Sequence, residues 1–274
     1  MQKYFLFSCI LISLKVIGGN QEKAVGARSF GLANNSIQLK DFWSAENNPA
    51  GLGYQEAWGG GISYENSFLL SELSTRSAVF AYPTSNGAFG ISINQFGYSA
   101  YNENKIGISY GQKLGENISM GIQVNYLNTR ISEGYGNNSA VSGTIGFMAD
   151  LNEDLTLAAV VVNPNRAKLA TIEDERYPTL LKLGLGYNFS EKVNLLTEVV
   201  KDIDYDANVK VGIEYKAIDI LHFRLGYATN PALSTFGFGL NLDQFRLDFA
   251  SGFDSNLGFT PQVALSYSPA KSKR

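Results

Sequence analysis

Residues 209–215 alternate strictly. Val209, Val211, Ile213 and Tyr215 fall on one face of an extended segment, and Lys210, Gly212 and Glu214 fall on the other. Period two is the signature of a strand whose two faces meet different surroundings. The pattern recurs. Leu181, Leu183, Leu185 and Tyr187 oppose Lys182, Gly184 and Gly186, and Leu221, Phe223, Leu225 and Tyr227 oppose His222, Arg224 and Gly226. Ile118, Met120, Ile122, Val124 and Tyr126 oppose Ser119, Gly121, Gln123 and Asn125, while Phe245, Leu247 and Phe249 alternate with Arg246 and Asp248. In each segment one face is wholly apolar.

This reading predicts fourteen strands, at 56–66, 74–83, 87–97, 101–113, 116–130, 139–151, 154–163, 177–189, 192–202, 207–216, 219–229, 233–241, 243–251 and 258–268. Their connections alternate in length. Short turns fall at 84–86, 114–115, 152–153, 190–191, 217–218 and 242, and longer loops at 67–73, 131–138, 164–176, 203–206 and 252–257, with 98–100 and 230–232 as short as the turns. An even strand number with tight turns on one side and longer loops on the other describes a bacterial outer-membrane barrel. The expected fold is therefore all-β, a 14-stranded antiparallel transmembrane β-barrel, with the longer loops outside and both termini in the periplasm. A soluble β-sandwich also alternates. Here, though, the polar face is rich in glycine, and the apolar face is continuous over nearly every strand. A sandwich would need a core larger than 274 residues can enclose.

Composition sharpens the picture. Charged residues make up 17% of the chain, below the roughly 25% of soluble domains. There are 28 Gly, 15 Tyr and 17 Phe, a mixture suited to strands that face lipid. The net charge of −3 gives no basic field for nucleic acid. Lys3 followed by an apolar run from Tyr4 to Leu14 and then Gly18 and Gly19 reads as a signal peptide over 1–20, since the run is too short to span a bilayer. Cys9, the single cysteine, lies inside it with too few residues ahead for a lipoprotein signal, so the mature chain is expected to have no cysteine.

The domain plan is thus a signal peptide (1–20), an N-terminal segment (21–54), the barrel (55–268) and a short periplasmic tail (269–274). In the second part Ser36 is placed to cap a short helix, Ile37, Phe42 and Ala45 recur near helical spacing, and Asn48-Pro49 ends it. The segment is too polar for lipid, and a fourteen-stranded barrel has a lumen wider than its own side chains fill. Two destinations are open. One is a plug inside the lumen, with the motif Asn48, Pro49, Ala50, Gly51, Leu52 turning the chain back to the wall. The other is a disordered periplasmic arm, which would leave Phe42 and Trp43 exposed.

Gly26-Ala27-Arg28, the short helix and the closing Asn48 to Leu52 together resemble the N-terminal signature of the PorV/PorQ-like family of Bacteroidetes, within the wider FadL-like outer-membrane barrels. Tyr101-Asn102-Glu103 entering a strand and Asn163-Pro164 closing another are similar as well. The resemblance implies a fourteen-stranded barrel with its N-terminal segment in the lumen. It implies two roles: an accessory or binding component of the type IX secretion system, with secretion components or exported cargo as partners, or a FadL-like uptake channel for small hydrophobic molecules. This chain is shorter than the secretion members, with smaller loops. A glycine-broken strand would favour the channel, and Gly87, Gly90 and Gly97 mark the candidate strand.

No catalytic constellation is legible. His222 is the one histidine, and Ser109 or Ser119 would have to meet it to form a hydrolase. No Cys/His cluster suggests a metal, and Gly59-Gly60-Gly61 lies within a strand rather than before a helix, so no cofactor is expected. Polar candidates for the lumen are Lys182, Glu198, Lys210, Glu214, His222, Arg224, Arg246 and Asp248, read either as a paired network holding the plug or as a path for an amphipathic ligand. Besides outer-membrane lipid, the expected partners are those two classes and no nucleic acid. Cysteines introduced at Gly136 or Asp174 should be labelled by an impermeant reagent on intact cells while one at Glu153 is not; the reverse pattern would invert the orientation.

Overall fold

The computed structural model describes residues 23–132, 136–168 and 176–269, so the signal peptide and nearly all of the expected tail lie outside the described residues. Fourteen strands form one closed antiparallel barrel: β1 (Gly59–Asn66), β2 (Ser74–Pro83), β3 (Ala88–Gly97), β4 (Tyr101–Lys113), β5 (Ile118–Ile131), β6 (Gly136–Asp150), β7 (Leu155–Val162), β8 (Leu180–Ser190), β9 (Val193–Asp202), β10 (Asn208–Lys216), β11 (Leu221–Thr229), β12 (Ala232–Leu242), β13 (Phe245–Asp254) and β14 (Gly258–Tyr267). Each strand pairs with its sequence neighbours, and β1 closes on β14 from Gly60↔Tyr267 to Glu65↔Gln262. Closure leaves no strand of the barrel without a partner strand on each side, which is the condition for strands to cross a bilayer.

The alternation predicts which face meets lipid. Leu183, Phe223 and Val211 are exposed on the outer face, whereas Lys182, Lys210 and Arg224 are buried inside. Aromatic pairs ring the end of the short turns, with Trp58 and Tyr267 centroids 5.4 Å apart and Phe89 and Tyr110 4.8 Å apart. At the other rim Phe253 and Phe259 lie 5.0 Å apart. A closed barrel with an apolar outer belt between aromatic girdles is a transmembrane barrel of the outer-membrane type.

Several expectations need correction. β6 begins at Gly136 and β13 runs to Asp254, so the connections expected at 131–138 and 252–257 shrink to 132–135 and 255–257. Hydrophobic alternation ends where the lipid ends, but backbone pairing continues into the aqueous rim, and the length asymmetry is smaller than the sequence suggests. The long exception is the connection 163–179, of which 169–175 lie outside the described residues. The expected break in β3 is absent. β3 pairs without interruption with β2 from Thr75↔Phe96 to Pro83↔Ala88 and with β4 from Ala88↔Gly111 to Gly97↔Asn102. The interruption lies elsewhere. β7 reaches only to Val162, so its ladder with β6 covers Thr144–Asp150 and leaves the rim-side half of β6 without a strand on that side. Asn163 and Asn165 bind there instead: the Asn163 amide donates to Gly143 O at 2.8 Å, and Asn165 Nδ2 donates to Val141 O at 2.8 Å.

Lys23, the first described residue, lies at the rim of the longer loops, where Nζ donates to Glu65 Oε1 at 2.7 Å. The N-terminal segment therefore starts at the rim opposite to that where β1 begins, against the expectation of both ends on one side.

A charge on the outer belt near the midplane costs roughly 2–4 kcal/mol. Leu183→Arg should destabilise the barrel by about this amount and Leu183→Ala by less, read in denaturant titrations of refolded protein. Gly184→Ser is not the neutral control that its lumen position suggests, because a Cβ there would sit 2.9 Å from Ile37 Cγ1.

Candidate functional site

The lumen is the candidate site, and residues 24–54 fill much of it. The expected helix from Ser36 does not form. Instead α1 spans Ala27–Gly31, α2 spans Ser44–Asn47, and a 3₁₀ turn spans Pro49–Tyr54. Glu198 Oε2 accepts from the Ser36 amide at 3.0 Å and from the Ile37 amide at 3.4 Å, and Ala33 and Asn34 have φ of 57° and 61°. The wall carboxylate satisfies both amides, and the chain turns through Ala33 and Asn34 just before it. From Lys23 the segment crosses the lumen to Lys40, whose ammonium pairs with Asp150 at the turn rim. It rises again through α2 and descends to Tyr54. The two arms are joined where Asn47 Oδ1 accepts from the Val25 amide at 2.8 Å and Asn47 Nδ2 donates to Val25 O at 3.0 Å. Trp43 is buried against the wall at Gly61 and Phe42 is half-buried at Gly59.

The motif Asn48 to Leu52 is buried throughout. Asn48 Oδ1 accepts from the Ala50 amide at 3.1 Å, capping the 3₁₀ turn, and Asn48 Nδ2 donates to Ile37 O at 2.5 Å and to Phe147 O at 3.4 Å. Pro49 occupies the first position of the turn, where its missing N–H costs nothing. Gly51 is needed for a different reason from the one the sequence suggests. Its φ is not positive, but a Cβ would overlap Ser44 Oγ. The wall beneath is built to match. Cβ atoms at Gly111 and Gly121 would overlap Pro49, and one at Gly146 would overlap Asn48 Oδ1, so three neighbouring strands, β4, β5 and β6, present bare backbone to the motif.

Charge holds the other side. Arg28 of α1 grips Glu214 through Nε and Nη2, both at 2.9 Å, and reaches Asp41 with Nη1 at 3.1 Å. Glu214 also meets Arg224 at 2.8 Å, Arg224 meets Asp248 at 2.8 Å, and Asp248 meets Arg246 at 2.9 Å. The result is one chain of alternating sign, Asp41–Arg28–Glu214–Arg224–Asp248–Arg246, with no net charge. Three smaller clusters repeat the logic. Lys210 Nζ donates to Glu198 at 3.0 Å and to Asn34 O at 3.2 Å. Glu46 pairs with Lys105 at 2.8 Å and accepts from Ser92 and Gln123. At the turn rim Lys40 and Lys113 lie 4.3 and 4.5 Å over the Tyr54 ring, and burial together with the Asp150 carboxylate pushes the Tyr54 phenol up to about 12.

Of the lumen candidates, Glu214, Arg224, Arg246 and Asp248 join one network and Glu198 and Lys210 a second. His222 is buried on β11 without a partner for Nδ1 among the described residues. Ser109 lies on β4, seven strands from β11 and across the barrel, where its hydroxyl donates to Ala45 O at 3.1 Å, so it does not meet His222. Ser119 on the next strand, β5, is also far from β11. Lys182 stands apart: it is 5% exposed, flanked in the ladders by Val160 and Val200, and its side chain has no hydrogen bond or ion pair among the described residues. Arg28, Asp41, Glu46 and Lys105 were missed as partners. Their signal was present, since the first three are charges in the segment expected in the lumen and Lys105 shares the inward phase of Gly107 and Ser109.

Wall charges pair mostly with one another, so removing the plug leaves Glu214–Arg224–Asp248–Arg246 and Lys210–Glu198 intact. Deleting residues 22–46 should therefore give a folded barrel with a measurably larger conductance in planar bilayers. An unchanged, near-zero conductance would mean that these residues do not block the lumen.

No protein-family model matches the chain, and no curated protein matches it in sequence. Solved structures do match in shape. The toluene transporter TodX of Pseudomonas putida superposes with a TM-score of 0.67 at 13% identity, covering 90% of this chain and 98% of TodX. The toluene transporter TbuX of Ralstonia pickettii gives 0.65 at 13% identity over 90% and 98%. A FadL homologue of Pseudomonas aeruginosa gives 0.65 at 12% identity over 89% and 98%. The fold is that of the FadL-like outer-membrane barrels.

Proposed function

We propose that this chain is an outer-membrane barrel that admits a small hydrophobic or amphipathic molecule, with the short turns in the periplasm and the longer loops outside. One observation carries the reading: an apolar stripe on the inner wall adjoins the seam where the β6–β7 ladder stops short. Met148, Ala158, Val160, Val162 and Leu180 form a buried cluster with Ile37 and Ala50 of the plug, on strands β6 to β8. Its rim-side end, Val162, is the last residue of β7 and pairs with Thr144, beyond which residues 136–143 of β6 have no strand on that side. An apolar solute can leave water on this stripe and pass to lipid through the seam without crossing the charged half of the lumen. Lys182 within the stripe offers one ammonium to a polar head. The similar structures described as toluene transporters support the reading by fold alone.

A second role, as a PorV/PorQ-like accessory of type IX secretion, rests on the N-terminal motif and on Leu69 and Leu70, which are exposed at the loop rim as a small docking patch. Short loops on most of that rim favour the uptake reading. Uptake of labelled toluene and of a labelled fatty acid by cells expressing the protein decides between them. Val162→Arg should lower uptake roughly tenfold, equivalent to a barrier raised by about 1.4 kcal/mol. Uptake unchanged by removal of the protein, with exported cargo retained in the periplasm, would favour the secretion role instead.

A further inference from the structure

The outer surface of β2–β6 changes character within one row of the ladder. Ala78, Ile93, Ile106, Tyr126 and Val141 stand side by side and face outward, all but Ala78 well exposed. Two residues nearer the loop rim, the next outward row is Arg76, Gln95, Asn104, Asn128 and Ser139. The row after that carries Asn102, Arg130 and Asn137. The apolar row faces acyl chains, so the two polar rows stand at the level of the lipid headgroups.

These rows contain two guanidinium groups and no carboxylate. Neither the Arg76 nor the Arg130 side chain makes a hydrogen bond or ion pair among the described residues, and both are exposed. Between them lie amides already ordered by one another. Asn104 Nδ2 donates to Asn102 Oδ1 at 2.9 Å, and Asn128 Nδ2 donates to Asn137 Oδ1 at 2.5 Å and to Ser139 Oγ at 3.0 Å. A hollow of about 410 Å³ opens here, lined by Arg76, Gln95, Tyr98 and Asn102, with Glu72 at its upper edge held by the Ser71 hydroxyl at 3.0 Å. By contrast, on β13 and β14, beyond β1, Phe253 and Phe259 carry the apolar surface up to the rim.

We infer that this band is a docking surface for the phosphorylated sugar headgroup of a glycolipid in the surrounding leaflet. Guanidinium groups bind phosphate through paired, charge-assisted hydrogen bonds. Amides both donate to and accept from hydroxyl groups, as a sugar requires. The Cα atoms of Arg76 and Arg130 stand roughly 16 Å apart, three ladders of about 4.8 Å across and two residues along. That span suits a broad headgroup with two phosphates better than a single free phosphate. The hollow is likewise larger than one phosphate fills. The inference shares with the uptake reading only the assignment of the loop rim to the outside.

The test is native mass spectrometry of the full barrel in mild detergent, titrated with diphosphoryl lipid A, with phosphatidylglycerol and with inorganic phosphate. Wild type should hold one diphosphoryl lipid A in preference to phosphatidylglycerol. The double variant Arg76→Gln/Arg130→Gln should bind it about tenfold or more weakly. Lys201→Gln, an outward-facing cation on β9 away from the band, should bind like wild type. If the double variant does not fold, the single variants carry the test, each with a partial loss. Equal binding by wild type and the Arg variants, equal binding of phosphatidylglycerol, displacement by equimolar inorganic phosphate, or an equal loss in Lys201→Gln would each overturn the inference. Toluene or fatty-acid uptake, measured separately, fails or holds independently of these outcomes.

Discussion

Hydrocarbon offers a backbone no hydrogen-bonding partner, and the ladder between β1 and β14 is where this barrel meets that condition. Once Gly60–Glu65 has paired with Gln262–Tyr267, the strand number is fixed, and with it the width of the lumen. Everything inside must then fit a space of set size. Around the Asn48 to Leu52 motif the fit is made by subtraction: Gly111, Gly121 and Gly146 remove side chains from the wall so that two backbones can approach each other. The glycine richness of the polar face is a packing requirement as well as a mark of a solvated surface.

Around α1 the fit is made by charge. Desolvating six ionised groups is costly, and breaking one buried pair typically costs about 3–5 kcal/mol, since it strands its partner. Alternation along Asp41–Arg28–Glu214–Arg224–Asp248–Arg246 gives every member an opposite neighbour, and the four inner members each have two. Two of the six, Asp41 and Arg28, belong to the plug, so the network positions the plug and neutralises the wall at once. The apolar stripe on β6–β8 lies apart from it, which divides the lumen into a polar holding side and an apolar side.

Strand number, order and facing were legible because each strand must satisfy lipid on one side and plug on the other, and period two records both. Strand ends were less legible. At Gly136 and Asp254 the ladder outlasts the hydrophobic pattern, since water beyond the bilayer tolerates either face. Where a helix was expected from Ser36 the chain forms a turn whose Ser36 and Ile37 amides donate to Glu198, 162 residues away, and local propensity holds no record of a partner so distant. Within Asn48 to Leu52, Pro49 sits at the first position of a 3₁₀ turn, and at Gly51 crowding by Ser44, not backbone angle, excludes a side chain. The wall break was sought at glycines, in β3; it occurs at β7, where a strand is simply short, and composition does not mark that.

The path of the N-terminal segment has a consequence for sidedness. β1 starts at the turn rim, yet Lys23, 36 positions earlier, is tied to Glu65 at the opposite rim. The polypeptide is thus threaded through its own barrel before it becomes the barrel. Lys23 stands beside the 67–73 connection, while Tyr267, the last residue of β14, stands at the opposite rim. An even-stranded barrel would by itself put both on one side, and the plug makes the molecule two-sided, like a bolt whose head and thread end in different compartments.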